Sequence, residues 1–233
     1  MRTGIIVAMD KEFTQLETLL EDKTTEEFDH QDFITGTIGD KEVILQQCGI
    51  GKVNSAIGTV EMIHHYHPDL ILSTGCAGGA DIRLAPLDIV AATECAYHDA
   101  YCGNEVEYGQ IKGMPARYRA PARLIEKALA LNDVDDHGTG IHVKAGLTVS
   151  GEWFVDTKEK MQSILRKFPE ALAVDMESCS IAQTCHIYQT PFLSFRIISD
   201  IPLKDEKATQ YFDFWNRLAN GSFQATKSFL ERL

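Results

Sequence analysis

Long apolar runs are missing from this chain. Its apolar segments, such as Gly4–Met9 and Leu70–Thr74, are strand-sized, well short of the ~20 residues a spanning helix needs. One arginine precedes Gly4–Met9, and that stretch is too short for the core of a secretory leader. Positive charge is also scarce. Lys and Arg number 22 against 34 Asp and Glu, a net charge of −12, which argues against nucleic acid or an anionic membrane surface as partner. Paired cysteines are absent: Cys48, Cys76, Cys95, Cys102, Cys179 and Cys185 form no CxxC. Several lie in apolar contexts, so reduced, buried thiols and a cytoplasmic address are expected. His64, His65 and His67 cluster without an HExxH pattern or a matching cysteine set. They read as decoration of a helix C-terminus rather than as metal ligands. Repeats, low-complexity tracts and linkers are missing too, and 233 residues with 44% hydrophobic content suit one domain over 1–233 with a full core.

What is present is alternation. Gly4–Met9 reads as a buried strand, and Phe13, Leu16, Leu19 and Leu20 follow at helical spacing. Phe33–Thr37 and Glu42–Cys48 flank a Gly39-Asp40 turn and predict a hairpin. Val53, Ile57, Val60 and Ile63 predict a helix. Leu70–Thr74, Leu87–Thr93 and Ile141–Ser150 predict strands, and Ala122–Leu131 an amphipathic helix before a polar loop at Asn132–Thr139. Asp156 with Glu159 resembles a capping box for a helix carrying Met161, Ile164, Leu165 and Phe168, which Pro169 ends. Ile201–Ala208 reads as a loop and Phe212–Leu233 as a closing helix. Residues 97–118 show no period and read as a long loop, of the kind that is functional or lies at an interface. The order predicts an α/β fold: a three-layer domain with a central mixed, largely parallel sheet and helices on both faces.

Two glycine stretches invite comparison with phosphate loops. Gly49-Ile50-Gly51-Lys52 fails the dinucleotide fingerprint at Asn54 and the P-loop pattern at Gln46 and Val53. It reads as a tight turn. Gly75-Cys76-Ala77-Gly78-Gly79 follows a buried strand and would let backbone N–H groups approach a ligand.

Carboxylates mark the rest. Ala171–Val174 is a short apolar strand running into a helix with Ser178, Ile181, Ala182 and Cys185 on one face. Asp175 and Glu177 thus fall at a strand-to-helix junction, where α/β folds bind ligands. Asp200 ends the apolar run Phe192–Asp200, and Glu12 sits just after the first strand. A helix cap at Asp175, a strand end at Asp200 and a dipole-favoured acid at Glu12 are the plain alternatives.

Taken in order, GIIVAMDKE, GIGKVNSA, STGCAGG, YHDA, VSGEWFV, AVDMESCSIA and FRIISD resemble the 5′-methylthioadenosine/S-adenosylhomocysteine nucleosidases of the purine nucleoside phosphorylase superfamily. The likeness spans essentially the whole chain, and DMES with RIISD is its most specific part. It implies a cytoplasmic homodimer acting on adenine nucleosides with no metal or organic cofactor. It implies Glu12 as the base that activates water and Asp200, beside Ser199, as the acid. Met176 and Glu177 would bind ribose, with Arg196 near the water. Phe154 would stack on the purine, the Val155 backbone would meet its edge, and Ile50 would line the 5′ pocket. Gly78 would adjoin the substrate, and Tyr211 is the aromatic proposed to close the 5′ pocket. Departures are Cys76, where the family more often has a serine and where a thiol is the weaker hydrogen-bonding group, and Asn104 and Lys112 in the 97–118 loop, in place of apolar contacts.

The resemblance implies hydrolysis of an N-glycosidic bond, with Asp200 protonating the purine and Glu12 aiming water at the anomeric carbon. A phosphorylase, a hydrolase for another purine nucleoside such as futalosine, and a non-catalytic nucleoside-binding module are the competing readings. A phosphorylase would need several anion-binding groups, and Arg196 alone is evident.

Overall fold

The computed structural model describes residues 1–134, 142–204, 214 and 223–233. Among these, ten strands join one mixed sheet. The first, β1 (Arg2–Val7), runs into α1 (Asp10–Glu17) and then β2 (Glu21–Phe28), β3 (Gln31–Ile38) and β4 (Lys41–Gln47). Helix α2 (Lys52–Tyr66) leads to β5 (Leu70–Gly79) and β6 (Ile89–Tyr97). An irregular stretch then reaches the two-residue β7 (Tyr118–Arg119) and α3 (Ala122–Leu129). The remainder is β8 (Val143–Ser150), α4 (Lys158–Leu165), β9 (Ala171–Asp175), α5 (Ser178–Tyr188), β10 (Phe192–Asp200) and α6 (Gln224–Glu231).

Strand order is β10-β6-β8-β9-β5-β1-β4-β3-β2, and β10 also pairs with β5. Five strands therefore close into a barrel, and β1, β4, β3 and β2 extend from it as an open wing. The α/β expectation holds and the sheet is mixed, but it is a partly closed barrel rather than the flat middle layer expected. Nor is it largely parallel. The parallel pairs β1–β4, β1–β5, β5–β10, β6–β8 and β8–β9 are matched by the antiparallel pairs β2–β3, β3–β4, β5–β9, β6–β7 and β6–β10.

Closure depends on β5. Its first residues pair with β1, β10 runs beside it from Ile71 to Gly78, and its last residues, Gly78 and Gly79, pair with β9. The glycines expected to form a loop are thus the curved end of a strand, where missing side chains let the sheet bend. Alternation along β1 sends Ile5 and Val7 into a core with α1, α3 and α6, and Ile6 into a second core with α2 and α5.

Smaller differences have local causes. Thr157, not Asp156, caps α4, accepting from Lys160 N at 3.2 Å. Helix α3 stops at Leu129 and tightens into a 3-10 turn over Ala130–Val134. Strand β2, EDKTTEEF, has no apolar signal because it is an edge strand, exposed along nearly its whole length and paired only to β3. Its charges suit an edge that must not recruit another strand. The expected closing helix is seen at Phe214 and in α6; the rest of 205–222 lies outside the described residues.

Candidate active site

One cavity of about 200 Å³ opens where β1, β5, β9 and β10 end and where the turn that enters α2 meets the segment after β8. Every expected site residue among the described ones lines it: Glu12, Ile50, Cys76, Gly78, Phe154, Val155, Met176, Glu177, Arg196, Ser199 and Asp200. Tyr211 lies outside the described residues.

Glu12 is 1% exposed although it sits on a helix. Its position in the first turn of α1 points it back over the end of β1. Oε2 accepts from the backbone N–H of Ala8 (3.2 Å) and Met9 (3.1 Å), and Oε1 from Cys76 N at 2.8 Å. The Cys76 thiol adds a fourth donor at 3.2 Å. Burial, with Glu12 beside it, pushes that thiol well above its usual range, so it keeps the proton it donates. Gly75 makes the approach possible. Its φ is +124°, and a Cβ there would lie 2.5 Å from Glu12 Oε1.

Arg196 anchors the floor. It is 1% exposed, and its Nε meets Asp175 Oδ2 at 2.9 Å. Its other nitrogens reach Ser73 Oγ at 2.9 Å, the Thr74 carbonyl at 3.2 Å and Glu177 Oε2 at 3.5 Å. Asp175 also accepts from the Ser178 amide at 3.2 Å, from Ser150 Oγ and from Ser178 Oγ. Asp175 therefore accepts from the first amide of α5 from outside the N-cap position, which is Glu177, and it pairs with Arg196 as well. Glu177 Oε1 accepts from Gly51 N at 2.9 Å. Burial, opposed by Arg196, pushes Glu177 up to about 7.

Asp200 closes β10 past a bulge in the β5 pairing. Ser199 Oγ donates to its Oδ1 at 2.6 Å, which fixes the rotation of the carboxyl group. The opposite rim is aromatic and open: Phe154 is 64% and Trp153 46% exposed. Trp153 and Met9 line the cavity and were not expected. For Trp153, the neighbouring Phe154 was the available signal; for Met9, adjacency to Glu12.

Among the described residues, Asp29, Glu61 and His65 are the set that could hold a metal ion. Glu61 and His65 lie in the last turns of α2 and Asp29 in the turn between β2 and β3, and none of the three lines the cavity; His65 thus belongs to a group that the sequence pattern did not single out.

Buried carboxylates around one guanidinium thus face an open aromatic rim across the cavity. A profile of the phosphorylase superfamily matches residues 2–231. The chain belongs to that superfamily and, within it, to the 5′-methylthioadenosine/S-adenosylhomocysteine nucleosidase family. It is 37% identical over 232 residues to the Staphylococcus epidermidis enzyme of that name, covering 99% of each chain. Its fold is similar to the Neisseria meningitidis nucleosidase in complex with methylthio-immucillin-A: TM-score 0.91, 32% identity, 100% of this chain and 99% of that one. It is also similar to the Colwellia psychrerythraea nucleosidase in complex with adenine: TM-score 0.91, 32% identity, 100% and 96% covered.

Proposed function

We propose that this protein hydrolyses the N-glycosidic bond of 5′-methylthioadenosine and S-adenosylhomocysteine, releasing adenine and the 5-substituted ribose. The observation that carries this reading is Glu12: a buried carboxylate held by four donors, lining the same cavity as Asp200. Asp200 gives a proton to the purine N7 as the C1′–N9 bond breaks and its electron pair moves into the base. Glu12 takes a proton from water as the water oxygen adds to C1′. Two carboxyl groups with a water between them are the logic of an inverting glycosidase. Glu177 accepts from the ribose hydroxyls, and the excess of buried carboxylate over Arg196 favours the cationic sugar of the transition state. Met176 lies against the sugar. Phe154 stacks on the base, the Val155 backbone meets its edge, and Ile50 faces the 5′ substituent.

Water rather than phosphate is favoured by what occupies the backbone donors. The Gly75–Gly79 segment is engaged in pairing with β9 and β10, and the Cys76 amide donates to Glu12. A phosphate dianion would find Glu12 in its place. Adenine release is therefore expected to be independent of phosphate. Product analysis in phosphate and in phosphate-free buffer of equal ionic strength checks this; a ribose 1-phosphate product would establish a phosphorylase instead.

The whole of 1–233 is read as one nucleoside phosphorylase-like domain acting as a homodimer. Exposed Val53 and Ile57, one turn apart on α2, together with exposed Ile50 and Trp153 at the cavity mouth, support a second copy as the cover. Molar mass in solution by light scattering tests it. Six free cysteines support the reducing environment of the cytoplasm. Among the described residues no helix is long and apolar enough to cross a membrane.

A further inference from the structure

We infer that Lys52, Asp99 and Glu152 form a bracket that positions the aromatic rim of the cavity against its sugar-binding floor, and thereby sets affinity for the adenine part of the substrate. The inference rests on the nucleosidase reading for the identity of that base.

The three residues come from different places: the first residue of α2, the segment after β6 and the segment after β8. Their bonds close on one another. Lys52 Nζ meets both Asp99 carboxylate oxygens at 3.0 Å. Asp99 Oδ2 accepts from Glu152 N at 2.8 Å. Glu152 Oε1 in turn accepts from Lys52 N at 2.8 Å. None of the three lines the cavity, but each adjoins a residue that serves it. Gly51, before Lys52, donates to Glu177. Trp153 and Phe154 follow Glu152. His98, before Asp99, packs edge-on against Trp153 with ring centroids 5.4 Å apart.

The rim needs such support. Residues 151–157 have no strand or helix; Gly151 and Val155 are buried at either side, while the Trp153 and Phe154 rings between them are 46% and 64% exposed, so the rings depend on what fixes the backbone beneath them. The Asp99 side chain is 9% exposed and that of Lys52 28%, which limits screening by salt. Lys52 Nζ also lies 5.2 Å over the Tyr97 ring. Gly51, at φ +96°, leaves room for Glu152, since a Cβ there would lie 2.7 Å from Oε2. An ordinary exposed ion pair would add a little stability and nothing else. A bracket predicts a loss of ligand affinity, because rim and floor must be held in register for one ligand to touch both.

The test uses the full-length protein, methylthioadenosine as substrate and adenine as ligand. Asp99→Ala and Lys52→Met are expected to raise KM about tenfold, while kcat stays within about threefold. Adenine Kd by titration calorimetry should rise in parallel, with Tm nearly unchanged. Lys52→Arg, which keeps a two-pronged pair, should recover most of the loss. Should Asp99→Ala fold poorly, Lys52→Met, at the more exposed end of the pair, decides alone. Unchanged KM and Kd in the variants overturn the bracket. So does a fall in kcat and Tm together at constant KM, the mark of a merely structural role. If the wild type binds adenine without hydrolysing the nucleoside, the nucleosidase reading fails and the Kd comparison still decides the bracket. If it does not bind adenine, both fail.

Discussion

The cavity has two unlike halves. Its floor is charged, buried and built on strand ends and the helix starts that follow them: Glu12, Asp175, Glu177 and Arg196 are all under a tenth exposed and joined by hydrogen bonds to backbone or to one another. Its rim is apolar, exposed and built on irregular segments, with Ile50, Trp153 and Phe154 each about half exposed or more. The difference follows from what each half would do. Buried charge is tolerated only when it is paired and hydrogen-bonded, so groups that must act on charge need a rigid frame around them. A flat base needs only a flat surface, and an exposed rim also leaves a way in.

Breaking the floor should cost both fold and activity. Arg196→Met strands Asp175 and Glu177 in the interior and is expected to cost about 3–5 kcal/mol of stability and nearly all turnover. Urea unfolding measures the first; a loss below about 1 kcal/mol would mean the floor is wetter than its geometry.

Changes that keep the shape of the floor but alter its chemistry should separate the two costs. Glu12→Gln and Asp200→Asn are each expected to lower kcat by ~10²–10⁴-fold with adenine binding largely retained; Asp200→Asn should keep Tm close to wild type, whereas Glu12→Gln turns an amide NH2 toward donors that the carboxylate accepted from and should lower Tm. Steady-state kinetics beside a thermal melt would show it. Wild-type turnover in either variant would remove that carboxyl from the mechanism.

Breaking the rim should cost affinity alone. On the proposed role of Phe154, Phe154→Ala would remove a stacking face worth about 1–3 kcal/mol per base, so KM should rise while kcat and Tm change little. A large fall in Tm would show that the exposed ring has a packing role.

The smallest expected effect lies where the two halves meet. His98 is buried beneath Trp153, and burial holds it below the ordinary imidazole value of 6.5. Asp99 and Asp175 oppose that shift, and Lys52 adds to it. The unfolded chain therefore takes up this proton at higher pH than the folded one. The associated stability is full above about pH 6.5 and declines as pH falls through that value toward the folded pKa. Tm should drop on acidification, and His98→Asn should flatten the slope; an unchanged slope would mean other groups govern it.

Much of the cavity floor was legible beforehand because each acid falls at the end of an apolar run: Glu12 after Gly4–Met9, Asp175 and Glu177 after Ala171–Val174, Asp200 at the end of Phe192–Asp200. Their roles came from the resemblance, not from spacing. Two things did not show. Strand β2 has no apolar face, so no period reports it. Trp153 is exposed on a segment without regular structure, where no pattern separates a binding surface from a solvated side chain.

By itself the sequence determined which segments alternate as strand and helix, because local periodicity records which face each one buries. It also determined where the carboxylates fall along the chain. Only the tertiary structure decided that the sheet closes through β5 and β10, that Gly75–Gly79 is the bent end of a strand, and that Arg196 lies under Asp175 and Glu177. It alone joined Lys52, Asp99 and Glu152. Those contacts span tens of residues or more, and chain closure over such distances is set by the packing of the whole core rather than by any local preference.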